Sequence, residues 1–79
     1  MVRAPKLHSI VALLRDLPRH GLRKGQVGTV VELYKSGRYE VEFADMSGQT
    51  IAMATLPRSA VLPLSYDRSP RRSRGKLVA

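Results

Sequence analysis

An all-β fold built from short strands is predicted by three observations. The 79-residue chain is divided into brief apolar runs by Gly21, Gly25, Gly37 and Gly48, with Pro18 and Pro57 adding further punctuation. Residues 39–43, Tyr-Glu-Val-Glu-Phe, alternate apolar and acidic side chains with a period of two. Several of the runs are rich in β-branched residues, and none is long enough to sustain a convincing helical period.

The first run, His8 to Leu14, has Ile10, Leu13, Leu14 and Leu17 at helical spacing. It is short, lacks a clear cap and ends at Leu17-Pro18, so a strand is preferred. Residues 18–25 form a long loop, with Pro18, Gly21 and Gly25 as its structural residues. Gln26 to Tyr34 is a second strand, where Gly28 marks a bulge, a bend or close approach of another backbone. Lys35-Ser36-Gly37-Arg38 closes a hairpin into a third strand at 39–43, with Tyr39, Val41 and Phe43 inward and Glu40 and Glu42 outward. Asp45-Met46-Ser47-Gly48 turns into a fourth strand, Gln49 to Leu56. Pro57-Arg58-Ser59-Ala60 reads as a single 3₁₀ turn before a last strand, Val61 to Leu64.

Five strands, a long first loop and a 3₁₀ turn before the final strand are the ingredients of a small SH3-like barrel, which hides its edges by closing. The expected core is Ile10, Ala12, Leu14, Val27, Val31, Val41, Phe43, Ile51, Met53 and Val61. The folded unit is expected over residues 7–64. Residues 1–6 are read as a flexible N-terminus and residues 65–79 as a disordered basic tail, because Ser, Pro, Gly and Arg dominate there.

The net charge of +8 is concentrated at the ends: +2 in residues 1–6, +4 in 65–79 and only +2 in 7–64. The tail cations Arg68, Arg71, Arg72, Arg74 and Lys76 are candidate polyanion contacts. Within the folded unit, Arg15, Arg19, Arg23 and Lys24 gather in the first loop, while Glu32, Glu40, Glu42 and Asp45 gather on the central hairpin. Such a layout suits docking on an oppositely charged protein, or self-association.

Chemistry-bearing residues are scarce. The chain has no cysteine and two histidines, which leaves no disulfide, no thiolate metal site and no expected cofactor. Asp16 and His20 are close enough in sequence to hydrogen-bond, but no nucleophile or oxyanion site accompanies them. An interior filled by its own side chains has no room for substrate, so no enzyme is expected. Tryptophan, the usual anchor of proline-rich peptide grooves, is absent. Nothing approaches the run of about 18 apolar residues that spans a membrane, nor is there a secretory signal, and a cytoplasmic location is expected.

Two stretches carry a family likeness. Residues 11–32 contain Leu17-Pro18, Gly21-Leu22, Lys24-Gly25 and Val27-Gly28-Thr29-Val30 in that order. Tyr39-Glu40-Val41-Glu42-Phe43 leads through Asp45 and Gly48 to Thr55-Leu56 and Leu62-Pro63-Leu64. Together they resemble a bacterial family of very short chains, domain of unknown function 4926, over about residues 8–64. The resemblance implies the SH3-like fold and no particular activity. More distantly, Lys24-Gly25-Gln26-Val27-Gly28-Thr29-Val30-Val31 is similar to the KOW element of ribosomal and transcription-elongation proteins.

The function expected is that of a non-catalytic binding module, an accessory subunit or adaptor docking on a protein through Arg15, Arg19, His20, Arg23 and Lys24. The alternative is a nucleic-acid- or ribosome-associated KOW-like protein, or the antitoxin of a small two-gene module.

Overall fold

The computed structural model describes residues 4–64; the expected tail contacts Arg68, Arg71, Arg72, Arg74 and Lys76 lie outside the described residues. Five strands form a single antiparallel sheet: β1 (Ile10–Leu13), β2 (Val27–Leu33), β3 (Arg38–Ala44), β4 (Thr50–Pro57) and β5 (Val61–Leu64). Short 3₁₀ turns occupy Pro18–His20 and Arg58–Ala60. The spatial order is β4-β3-β2-β1-β5, so each of the first three strands pairs with its successor and β5 returns to β1.

The short link between β4 and β5 forces the sheet to curl. In a flat sheet, edge strands four spacings apart would be separated by roughly 19 Å. The four peptide steps from Pro57 to Val61 reach at most about 15 Å, less where the chain turns. Leu14 N–H donates to Ala60 O at 2.9 Å, fixing the 3₁₀ turn beside the end of β1. Strand number and order are consistent with an SH3-like arrangement, but the sheet is not closed: among the described residues no ladder joins β4 to β5.

The core consists of Val11, Leu13, Leu22, Val30, Val41, Phe43, Ala54, Leu56, Ala60 and Val61, with no buried polar residue among those described. Val41, Phe43 and Val61 are where the sequence put them. Three strands have the opposite phase. In β1, Val11 and Leu13 are buried while Ile10 and Ala12 are half-buried on the outer face and Leu14 is exposed. In β2, Val30 is buried, Val27 is 50% exposed, and Val31 sits at a register shift between Val30 and Glu32. In β4, Ala54 and Leu56 point inward, leaving Ile51 52% and Met53 45% exposed.

Size complementarity explains the reversal in β4. The inward Val41 and Phe43 are bulky, and their β4 partners are Ala54 and Ala52. Ile51 and Met53 in those positions would overfill the interior. On β2, Gly28 stands opposite Phe43 and Val30 opposite Val41, which fixes the phase of β1 through the Val11–Gly28 pairing. At the N-terminal side Pro5 is buried, and Ser9 Oγ–H donates to Lys6 O at 2.6 Å.

Candidate functional site

The first loop is stitched at both ends to the strands that carry it. Leu13 N–H donates to Gln26 O at 2.8 Å, and Gly25 N–H to Leu13 O at 2.8 Å. Gly25 adopts φ 93°, a left-handed conformation that makes this tight return favourable for glycine. Further out, Leu17 and Leu22 exchange both backbone hydrogen bonds, at 2.9 and 3.1 Å. Pro18 opens the enclosed 3₁₀ turn and Gly21, at φ 69°, ends it. Leu22 then enters the core with 2% exposure and pins the loop to the sheet.

Around this frame Arg15, Arg19, His20, Arg23 and Lys24 are all exposed. Their side chains make no hydrogen bond or ion pair with another described residue. Asp16 does not pair with His20: its Oδ1 accepts the Lys24 backbone N–H at 2.8 Å, an interaction that shapes the loop. Two open hollows flank the 3₁₀ turn. One, of about 290 Å³, is lined by Asp16, Pro18, Gly21, Leu22 and Arg23. The other, of about 280 Å³, is lined by Asp16, Leu17, Pro18, Arg19 and His20. The loop thus gathers Arg19 and His20 on one side and Arg23 on the other, while Arg15 and Lys24 line neither hollow.

The acidic residues occupy the opposite phase of the sheet from the core. Glu32 stands directly across from Glu40. Glu40 Oε1 accepts from Tyr34 Oη at 3.2 Å and from Thr55 Oγ1 at 2.6 Å. Glu42 Oε2 accepts from Thr50 Oγ1. Partial burial, the Glu40 hydrogen bond and the charges of Glu40 and Glu32 together raise the Tyr34 phenol above its ordinary 10.0. Asp45 caps the β3–β4 turn; the Ser47 hydroxyl, then the Gln49 N–H, hold its carboxyl below the ordinary 3.8.

The flanking hydroxyls of Tyr34, Thr50 and Thr55 were not singled out from sequence. Their signal is cross-strand register, since Thr55 faces Glu40 only once β3 and β4 are aligned. The charge separation is also less clean than the linear sequence suggests. Asp45 follows the β3 residues paired with the start of β2, and the basic loop enters the sheet at that same end.

These features define a small all-β protein with a pinned cationic loop and an outward carboxylate–hydroxyl face. Among the described residues, no cluster of three or more His, Cys, Asp or Glu could hold a metal ion. No helix among them is long and apolar enough to cross a membrane. Residues 7–63 match the family model described as domain of unknown function (DUF4926), and the chain belongs to that family. Neither a curated relative nor a solved structure matches the chain.

Proposed function

We propose that this protein is a non-catalytic binding module that docks on an acidic surface of a protein partner through its first loop. The observation that carries the reading is the pinned loop itself, which holds Arg19 and Arg23 beside separate open hollows without neutralising either. Arginine on a pre-shaped loop loses little backbone entropy on binding, and a planar guanidinium engages carboxylates in two parallel hydrogen bonds. The hollows are shallow and open, which suits reception of protruding side chains better than enclosure of a small substrate. A protein partner is favoured over a nucleic acid laid across the sheet, because Glu32, Glu40 and Glu42 would meet the phosphates there. A bacterial cytoplasmic setting belongs to the same proposal.

The test is affinity capture from the native host with the wild-type chain and an Arg19→Glu/Arg23→Glu variant as parallel baits, with and without nuclease. The expected result is a protein retained after nuclease treatment by the wild type and lost by the variant. Identical captures by both baits, or capture abolished by nuclease, would overturn the proposal.

A further inference from the structure

The two edges of the sheet are guarded unequally. β5 is four residues long and contains Pro63, which lacks the N–H needed for a continuous ladder. β4 is eight residues long. From Gln49 to Leu56 the sequence contains neither a charged residue nor a proline. One side of the β4 backbone pairs with β3; the other meets no strand among the described residues. Lysine, proline, brevity or a covering segment usually protects such an edge. A register shift near Ile51, Pro57 at the last position and the approach of the 3₁₀ turn Pro18–His20 are the only such features on β4 among the described residues. They leave the neutral run between the shift and Pro57 without a lysine or an internal proline.

We infer that β4 is a self-association edge, on which a second copy of this chain pairs antiparallel about a two-fold axis to continue the sheet. An antiparallel pairing of identical strands is self-complementary, because every contact made by one copy is returned by the other. The neutral run suits this occupant: it places no like charges along the seam and offers a charged foreign strand no compensating partner. The irregularity near Ile51 leaves Ala52 to Leu56 as the straight stretch available for pairing. Pairing must keep outward residues with outward residues, so Met53 and Thr55 meet their counterparts across the seam while the inward alanines and Leu56 extend the interior. Glu40 and Glu42 of the two copies stand three strand spacings apart, roughly 14 Å, beyond the screening length of about 8 Å at physiological salt. A single-strand seam is a small interface, and the association is therefore concentration dependent.

Sedimentation velocity on the full chain over a wide concentration range tests the inference, with Met53→Lys and Thr55→Lys as separate variants. Met53 is exposed and makes no side-chain hydrogen bond, so Met53→Lys should retain the melting temperature of the wild-type monomer, whereas Thr55→Lys gives up the bond to Glu40 Oε1 and should melt slightly lower. The wild type should pass from monomer to dimer as concentration rises, with slower amide exchange confined to β4. Each lysine should abolish the dimer. A wild type that stays monomeric throughout, including one whose β4 accepts only a strand from another protein, would overturn the inference. So would a dimer that survives both lysines. The Arg19→Glu/Arg23→Glu substitutions leave this edge untouched, so failure here is separable from failure of the loop-docking proposal.

Discussion

Replacing Gly28 with alanine probes the tightest point of the sheet. A Cβ built there would lie 2.7 Å from Val41 Cγ1, 2.9 Å from the Glu42 carbonyl oxygen and 2.9 Å from Phe43 Cδ2. Comfortable carbon–carbon contacts are about 3.5–4.0 Å, so relief requires movement of roughly 0.6–1.3 Å. None of the three neighbours can swing away, because Val41 and Phe43 are fully enclosed and the third is backbone. Overpacking of this kind costs about 1–3 kcal/mol, and this site belongs at the upper end. Alanine reduces unfolded-state entropy and returns about 0.4–1 kcal/mol. The net expectation is a loss of about 2 kcal/mol, equivalent to a fall in Tm of roughly 8–16 °C for a domain of this size. Thermal unfolding followed by circular dichroism measures it. Gly37→Ala is the matched control: φ is 88° and no atom lies within 4 Å of the added Cβ, so only backbone strain of about 1 kcal/mol applies. A Gly28→Ala variant melting no lower than Gly37→Ala would refute the close-packing argument.

Leu22→Ala should cost about 2–5 kcal/mol in a denaturant titration, because it empties the position that pins the loop to the core. Its loop amides should exchange faster than those of β3. Glu32→Lys converts the like-charged Glu32–Glu40 pair into an attractive one, and should raise stability by about 0.2–1 kcal/mol; an unchanged or lower Tm would contradict the assigned register. The Asp45 carboxyl is held below its ordinary 3.8 by its turn hydrogen bonds. Its contribution is present above the unfolded-state value and disappears as pH falls through the folded one. The Tm difference between wild type and Asp45→Asn should therefore shrink on acidification from neutral pH, and a constant difference would count against the turn-capping role.

β3 was legible in the sequence because only one phase places its acids in water: Glu40 and Glu42 leave Val41 and Phe43 for the interior. β1, β2 and β4 offered no such constraint. Ile10 to Leu14 is apolar in both phases, β2 has both Val30 and Val31, and β4 sets Ile51 and Met53 against Ala54 and Leu56. Large hydrophobes were the obvious candidates in β4, but Phe43 and Val41 opposite demanded small ones, a requirement visible only after strand pairing. The cationic loop could be found from composition alone. Its shape could not, since that depends on Leu22 reaching the core and on Asp16 accepting the Lys24 N–H across the loop. The carboxylate–hydroxyl contacts were hidden for the same reason: Glu40 and Thr55 are neighbours by register rather than by sequence.

Site-specific photo-crosslinking in the native host tests the docking claim most directly. One photoreactive residue is placed at His20, exposed beside a loop hollow, and another, in a separate chain, at Ser36 on the exposed β2–β3 turn. A discrete crosslink from position 20 to a different protein is expected, insensitive to nuclease and absent from position 36. Equal crosslinking from both positions, or a position-20 product that is only nucleic acid, would contradict it.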